Sequence, residues 1–320
     1  MTRSSLLLAA FCAAWCAGSS AAGYPERPLR LIVPSGAGGG PDVGARLIGA
    51  QLTRQLGQQI VIENRAGGSG TIGTEAISRA TPDGYTVGQG NFTSLGTNRI
   101  LLAKLPYDPD RDIQPLILAY TTRNLLAVGR ELPIASVPDL IAYAKKNPGA
   151  LLYGSSAVGS SMHFSAAMFC LMTGVDMRHV PYKTAQAAIT DIIAGQIQLM
   201  FDNISSIGPH VKAGRVRGLA VTSLNRTAAY PNLPSVAETL PGFEVTPWSG
   251  FILPAGVPKA IVARLNAEFN RAIEFPAVRD RLVEIGSEPR GGTPAEFGAF
   301  IRAETAKWSD VAKRANVRLE

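Results

Sequence analysis

Cysteine and histidine are scarce in this chain of 320 residues, which contains three of each. Cys12 and Cys16 lie in an apolar N-terminal stretch, so the chain without that stretch retains only Cys170. A disulfide framework is therefore excluded, and the mature protein must rely on its hydrophobic core. Because Cys170 lies in an apolar helical pattern, we expect it to be a buried and unreactive thiol.

Charge is also sparse, since Asp, Glu, Lys and Arg make up 17% of the residues and the formal net charge of +7 is dispersed along the chain. A nucleic-acid surface needs a basic stripe with stacking aromatic side chains, and none occurs, so nucleic acid is not an expected partner. His163, His179 and His210 lack the spacing of metal ligands. Neither a metal nor any other cofactor is expected.

Long apolar runs are missing as well, and the run at residues 6–14 is too short to span a membrane. Arg3 precedes it, and the small residues Ser20-Ala21-Ala22 follow it, which is the pattern of an export signal with its cleavage site. We therefore predict a signal peptide over residues 1–22 that is cleaved after Ala22.

Strand and helix patterns alternate over the rest of the chain. Apolar runs predict strands at residues 29–33, 59–63, 85–89, 197–201 and 216–222. Periodic apolar positions and start signals predict helices over residues 41–56, 185–194 and 258–273, and further helices that begin near Ser136, Met162 and Thr293. This alternation is typical of the α/β class with mostly parallel sheets.

Two breaks in this alternation indicate two lobes. Residues 121–124 are a polar interruption of an apolar segment and are a candidate crossover, and residues 225–245 are rich in Pro and Asn, as in a return connection. We therefore predict one lobe from residues 23–122 and a second from residues 123–225. Residues 226–320 are predicted to form the return connection and the C-terminal part of the first lobe.

Two Gly/Ser-rich loops each follow a predicted strand and precede a predicted helix. The first contains Gly36 and Gly38-Gly39-Gly40, and the second covers residues 154–161. Glycine at a helix start lets backbone N–H groups approach a ligand, with the positive end of the helix dipole behind them. A tight turn without a ligand is the alternative, but four glycines within five residues favour binding. The two loops predict two lobes that hold one small anion.

A third glycine-rich loop, residues 67–73, has the spacing of a dinucleotide-binding fingerprint. No acidic residue at a strand end follows about 20 positions later to hold a ribose, so the fingerprint is incomplete. We interpret this loop as close helix packing beside the cleft.

Four polar side chains outside these glycines are candidates for chemistry or binding. Ser160 and His163 lie three residues apart at a helix start, as a hydrolase pair could, but no third orienting group and no nucleophile elbow is present. Lys183 can hold an anion or be an ordinary surface lysine. Asp202 ends a predicted strand, where it can cap the next helix or face the cleft.

A series of short motifs extends in order from Tyr24 to the C-terminus. They include Tyr24-Pro25-Glu26-Arg27-Pro28, Gly38-Gly39-Gly40, Pro82-Asp83-Gly84-Tyr85-Thr86, His179-Val180-Pro181-Tyr182-Lys183, Met200-Phe201-Asp202 and Lys307-Trp308. In these motifs the chain resembles the periplasmic substrate receptors of tripartite tricarboxylate transporters, also called Bug or TctC-type proteins. The resemblance covers essentially the whole mature sequence.

This resemblance implies a two-lobed type II periplasmic binding protein fold with hinged lobes and a central ligand cleft. It implies a monomeric, non-enzymatic receptor in the periplasm that captures a small organic acid and delivers it to a membrane permease. The ligand carboxylate is expected to be held by loop backbone groups and water rather than by an arginine. Carried over position by position, the contacts are Ser35, Gly36, Ala37, Gly40, Thr93 and Ser94 in the first lobe, and Ser155, Ser156, Gly159, Ser160, His163, Lys183 and Asp202 in the second.

The chain departs from the family pattern in the first binding loop and in the segment that follows Tyr182. Where the family usually has Pro-Phe-Ala-Pro-Gly-Gly-Gly-Thr-Asp, this chain has Ser35-Gly36-Ala37 and Pro41 in place of Phe-Ala-Pro and Thr. Lys183-Thr184 and Gln186-Ala187 replace Lys-Gly and Ala-Pro. The lost phenyl ring opens space and the lost threonine removes a hydroxyl donor, so the ligand class, from dicarboxylate to amide, is left open.

Two other functions remain open at this point. One is an exported hydrolase that uses Ser160 and His163. The other is a ligand-sensing receptor for a membrane signalling partner, which would share the same fold.

Overall fold

The computed structural model describes residues 23–317. The predicted signal peptide, residues 1–22, lies outside the described residues, as do residues 318–320. None of the helices within the described range combines the length and apolar composition of a membrane-spanning segment.

The strands and helices alternate as the sequence predicts. In chain order the strands are β1 (Leu29–Val33), β2 (Ile60–Asn64), β3 (Thr86–Asn91), β4 (Ile113–Thr121), β5 (Asn124–Gly129), β6 (Leu152–Ser155), β7 (Arg178–Pro181), β8 (Leu199–Asn203), β9 (Val216–Val221), β10 (Trp248–Pro254) and β11 (Glu288–Gly291). The helices are α1 (Gly40–Leu56), α2 (Thr71–Ser78), α3 (Asn98–Leu101), α4 (Val137–Lys146), α5 (Ser161–Thr173), α6 (Ala185–Ile193), α7 (Ile204–Lys212), α8 (Lys259–Glu274), α9 (Pro276–Glu284) and α10 (Pro294–Arg314). The six predicted helices correspond to α1, α4, α5, α6, α8 and α10, which confirms them.

The strands form two sheets, and each sheet with its helices is called a lobe below. The first lobe has the strand order β11-β4-β10-β3-β1-β2, and the second has the order β7-β6-β8-β5-β9. Strands joined through helices are parallel, as in β1 with β2 and β3, and β6 with β7 and β8. However, β10 is antiparallel to β3 and β4, and β5 is antiparallel to β8 and β9. The α/β class is confirmed, but the expectation of mostly parallel pairing is wrong. Strands that enter and leave a lobe through the same hinge run in opposite directions, and the edge strand β11 is also antiparallel to β4.

The hinge consists of two crossings that lie side by side. The chain leaves the first sheet after β4 and returns to it at β10. The amide of Thr122 donates to the carbonyl of Pro247 at 2.8 Å, and the amide of Thr222 donates to the carbonyl of Asn124 at 2.9 Å. The hydroxyl of Thr222 also accepts from the amide of Asn124 at 3.0 Å. The polar residues that interrupt the apolar pattern at residues 121–124 also bond through their side chains: Arg123 donates to Glu288 at 3.0 Å, and Nδ2 of Asn124 donates to the Ser165 hydroxyl at 3.1 Å.

A single aromatic cluster joins the two lobes behind the hinge. Phe92 follows β3 of the first lobe, Phe164 lies in α5 of the second lobe, and Trp308 lies in α10. Their rings pack edge to face with centroid separations of 5.9 Å (Phe92–Phe164), 5.1 Å (Phe92–Trp308) and 5.5 Å (Phe164–Trp308). All three side chains are buried. The C-terminal helix therefore packs against both lobes through one core.

Cys170 lies on the outer part of α5, where it is partly buried. Burial raises the pKa of its thiol to about 11. The group is therefore a protonated, unreactive thiol at neutral pH, as expected from its apolar surroundings.

We predict that Phe164→Ala lowers the free energy of unfolding by about 3–5 kcal/mol, because it removes a fully buried ring from the shared cluster. The matched control is Phe275→Ala, since the side chain of Phe275 is 41% exposed and its removal should cost less than about 1 kcal/mol. Chemical denaturation followed by fluorescence measures both. Equal losses in the two variants would contradict this assignment of the core.

Candidate functional site

A cavity of about 330 Å³ lies between the two lobes, and we call it the cleft. Its wall is formed by the segments that follow the carboxyl ends of β1, β2 and β3 in the first lobe and of β6, β7 and β8 in the second. The hinge residues Tyr120, Thr122, Pro247, Trp248 and Ser249 close it at the back. In α/β proteins, ligands bind outside the carboxyl ends of parallel strands, and this volume is in the range of small-molecule sites.

Five helices begin at the wall of the cleft, namely α1, α2, α5, α6 and α7. The residues that precede their first turns all line it: Gly39, Gly70, Ser160, Thr184 and Asn203. The first amides of a helix have no partner within the helix, and the helix dipole places about half a positive charge at this end. The cleft therefore collects backbone donors and positive potential from both lobes, which suits an anion.

The N-terminal end of α1 has no side-chain cap. Gly39 precedes the helix without a side chain to cap it, and Pro41 occupies the first turn. Asp42 accepts hydrogen bonds from the amide of Gly38 at 2.8 Å, from Arg46 at 3.0 Å and from Asn64 at 2.9 Å. Burial opposes its ionisation, but these three hydrogen bonds lower the pKa of Asp42 overall. Its carboxylate is neutralised by Arg46 and does not line the cleft.

The second loop is shaped by its own hydrogen bonds. The Ser160 hydroxyl accepts from the backbone amide of His163 at 3.3 Å and so caps α5. Gly159 has φ +81°, which favours glycine, and its carbonyl accepts from the Thr97 hydroxyl of the first lobe at 2.7 Å. A Cβ at this position would lie 2.6 Å from Leu101. The glycine therefore lets the two lobes approach each other at this loop.

The wall of the cleft is rich in hydroxyl groups but almost uncharged. Among the described residues that line the cleft, only Lys183 has a charged side chain. Hydroxyl groups are abundant and come from Ser35, Ser69, Thr93, Tyr120, Thr122, Ser156, Ser160, Ser161, Tyr182, Thr184, Ser205 and Ser249. The Ser35 hydroxyl oxygen is buried and has no partner within residues 23–317. Such a group is satisfied when a bound molecule supplies the missing hydrogen bond.

The structure brings seven of the predicted contact residues to the cleft wall: Ser35, Gly36, Gly40, Thr93, Ser156, Ser160 and Lys183. The other six predicted contact residues, Ala37, Ser94, Ser155, Gly159, His163 and Asp202, lie outside the lining. Ala37 is exposed, and Gly159 is bonded to Thr97 as described. Whether the seven lining residues touch a ligand stays a prediction.

Ser94 and Ser155 are turned into the protein. The Ser94 hydroxyl accepts from the amide of Asn91 at 3.1 Å and is almost fully buried. The Ser155 hydroxyl donates to the carbonyl of Ala157 at 2.8 Å and lies 2.7 Å from Nε2 of His179. Both hydroxyls stabilise the loops that carry their neighbours Thr93 and Ser156.

His163 lies in a second cavity of about 430 Å³ rather than in the cleft. Its ring stacks on that of His179 at 3.9 Å, and its Nδ1 accepts from the amide of Gly159 at 3.2 Å. Burial and the neighbouring His179 lower the pKa of His163 to about 3, and burial lowers the pKa of His179 to about 4. The imidazole of His163 makes no hydrogen bond with the Ser160 hydroxyl, so the geometry lacks the nucleophile–base pair of a hydrolase. No cluster of three potential metal ligands forms among residues 23–317.

Asp202 is placed at the start of α7 and not on the cleft wall. Its carboxylate accepts from the amide of Asn203 at 2.7 Å and from the hydroxyl of Ser206 at 2.5 Å. The side chain is fully buried, and burial raises the pKa of Asp202 to about 7. Of the two roles considered from the sequence, the geometry matches the helix cap.

The residues missed in the sequence are those brought in by distant strands. Asn203 ends β8 and Ser205 follows it, and Pro247 precedes Trp248 and Ser249, which begin β10. Trp248 is buried, and its Nε1 donates to Glu304 at 3.1 Å. The predicted return connection at residues 225–245 was the one signal in the sequence for Pro247, Trp248 and Ser249. A segment that crosses the hinge must pass the back of the cleft, so residues just after that connection are expected there.

We predict that the Asp202 carboxyl makes unfolding pH-dependent. Its pKa is about 7 in the folded protein against 3.8 for an ordinary aspartate, so the folded state holds the proton more tightly. Stability contributed by this group is present below pH 4 and is lost as the pH rises to about 7. In chemical denaturation at pH 4 to 8, wild type should therefore lose stability relative to Asp202→Asn with rising pH. A difference that does not vary with pH would contradict the buried, protonated carboxyl.

Comparison with known proteins agrees with this geometry. The model of the family described as tripartite tricarboxylate transporter family receptor (TctC) matches residues 44–317. The R. palustris protein Rpa4515, whose structure contains adipate, is 39% identical, with a TM-score of 0.90 over 92% of this chain and 99% of that one. MatC (Rpa3494) from Rhodopseudomonas palustris with bound malate is 31% identical, with a TM-score of 0.85 over 90% of this chain and 99% of that one.

A relative known by sequence is BugT of Bordetella pertussis (strain Tohama I), which is 32% identical over 303 residues, or 94% of this chain and 93% of that protein. The structural similarities confirm the two-lobed α/β fold of periplasmic binding proteins. Because the family model covers most of its length, this chain belongs to the receptors of the tripartite tricarboxylate transporter family, the TctC or Bug proteins.

Proposed function

We propose that this protein is a periplasmic receptor that captures one small organic carboxylate in the cleft and delivers it to the membrane permease of a tripartite tricarboxylate transporter. The observation that carries the proposal is the convergence of five helix starts on a wall with one charged residue, Lys183. Such a site solvates a negative group without an opposing acid or an arginine. Its structural neighbours with adipate and malate are consistent with a carboxylate ligand.

The affinity of such a site depends on several weak contacts. Each neutral hydrogen bond contributes about 1 kcal/mol net, so a micromolar dissociation constant needs several of them together with closure of the lobes. The proposed contacts are the lining residues Ser35, Gly36, Gly40, Thr93, Ser156, Ser160 and Lys183. Asn91 and Ser249 also line the cleft and are added as polar candidates.

The organisation of the chain fits a receptor that opens and closes. The proposed lobes are residues 23–122 with the C-terminal part of residues 226–320, and residues 123–225, which agree with the strands of the two sheets. The paired crossings at Thr122 and Thr222 are the proposed hinge. Cleavage of a signal peptide at residues 1–22 would release the receptor into the periplasm.

A sensor that reports ligand occupancy to a membrane partner would use the same cleft and the same closure. We favour delivery to a permease because the family is that of transporter receptors. Copurification of the loaded protein with permease subunits, rather than with a sensor, would distinguish the two.

We predict that a small carboxylic acid raises the melting temperature of the purified protein, because a ligand that binds only the folded state stabilises it by mass action. The assay is a thermal-shift screen with adipate, malate, aromatic acids and amino acids, followed by calorimetry of each hit. The corresponding neutral amides serve as controls. If no acid shifts the melting temperature, or if the amides act equally, the carboxylate proposal is wrong.

We predict that Ser160→Ala weakens binding of the acid found in the screen by about three- to tenfold, since it removes one hydroxyl from the wall. Ser136→Ala is the matched control, because Ser136 also caps a helix, α4, but does not line the cleft. Both variants should lose about 1 kcal/mol of stability from the lost cap. Equal affinities in the two variants, measured by calorimetry, would exclude Ser160 from the site.

A further inference from the structure

The departures of this chain from the family pattern meet at one place in the fold. Gly36 and Gly38 lie in the first-lobe loop, and Thr184 and Gln186 lie at the start of α6 in the second lobe. The departure Gln186 contacts Gly38, which lies 148 positions earlier and matches the family pattern, and the departure Thr184 packs against the departure Gly36. The contact joins the two lobes beside the cleft.

The geometry of the contact is specific. Nε2 of Gln186 donates to the carbonyl of Gly38 at 2.8 Å. That carbonyl is held in place because the Gly38 amide donates to Asp42, and because its φ of +75° is a conformation that favours glycine. A Cβ added to Gly36 would lie 2.5 Å from Cγ2 of Thr184, so the methyl group of Thr184 fills the space that the glycine leaves.

The two second-lobe residues differ in their relation to the cleft. Thr184 lines it and uses its hydroxyl to cap α6, accepting from the amide of Ala187 at 3.2 Å, while its methyl group meets Gly36. Gln186 does not line the cleft. Its hydrogen bond therefore acts between the lobes and not on a ligand.

We propose that Gly36, Gly38, Thr184 and Gln186 form an interlobe clasp that holds the cleft closed over its ligand and sets how long the ligand stays. The proposal rests on the proposed function, since it assumes that a carboxylate binds between hinged lobes. Opening about the hinge separates the two lobes at this contact, so it must break the Gln186 bond and unpack Thr184 before the ligand leaves. Gly38 and Gln186 act as positioning residues, while Gly36 and Thr184 also line the cleft. The contact between the two pairs affects dissociation more than the association step, which starts from the open form.

The first test removes only the hydrogen bond. Gln186→Met keeps the length and neutrality of the side chain but has no donor, so we expect the dissociation rate of adipate, and likewise of malate, to rise about fivefold. The association rate should stay within about twofold. Thr190→Val is the control, because Thr190 lies one turn further on α6 and bonds only within the helix, to the carbonyl of Gln186. Stopped-flow measurement of both rates gives the answer.

The second test exchanges the packing partners. Gly36→Ala places a methyl group where that of Thr184 lies, so we expect about tenfold weaker binding of adipate and malate, or more. Thr184→Gly in the same chain removes the obstructing side chain, and the double variant should recover most of the lost affinity. A methyl group that blocked the ligand directly, instead of obstructing closure, would not be rescued in this way.

The outcomes separate the clasp from the function it serves. If wild type binds neither acid, nor any other in the screen, the proposed function fails and the clasp falls with it. If wild type binds but Gln186→Met leaves the dissociation rate unchanged, the clasp alone is wrong. Failure of Thr184→Gly to rescue Gly36→Ala, with both variants folded by circular dichroism, also overturns the clasp.

Discussion

The meeting of five helix starts at one cleft is the constraint that organises this molecule. The amides of α1, α2, α5, α6 and α7 are presented at one cleft because their strands end there, in two sheets that face each other. Helix dipoles act over about the first turn, so they matter only if the chain brings them within contact of the ligand. Everything else in the fold, including the paired crossings and the shared aromatic cluster, serves to hold these starts at a common site.

An anion site of this kind also requires that the protein keep its own carboxylates away. Asp42 and Asp202 lie beside the helix starts, but neither lines the cleft. Asp42 is neutralised by Arg46, and burial favours the protonated form of Asp202 at mildly acidic pH. Both acids bond to groups at the starts of α1 and α7, and their carboxylates are directed away from the lining of the cleft.

Local sequence patterns predicted the helices, the hinge crossing and the glycine-rich loops, because each depends on neighbouring residues. Side-chain direction was harder to predict. Successive residues of a strand point to opposite sides, so Asn203 reaches the cleft while its neighbour Asp202 in β8 does not. Ser155 ends β6 and is turned inward, while Ser156 follows the strand and lines the cleft. Trp248 could not be placed because its position depends on β10 returning after residues 222–247. The direction of the sheets was mispredicted for the same reason, since crossover strands carry no local signal of orientation.

The near absence of ionised groups from the cleft wall has a consequence for where such a receptor can work. Mobile salt ions weaken attraction between separated charges within about 10 Å at 0.1 M, but they act little on short hydrogen bonds made in an enclosed space. A receptor that bound its ligand through solvent-exposed arginines would lose affinity as the salt concentration rose. With Lys183 as the one charged side chain in the described lining, the proposed recognition through amides and hydroxyls predicts an affinity that changes little with salt concentration.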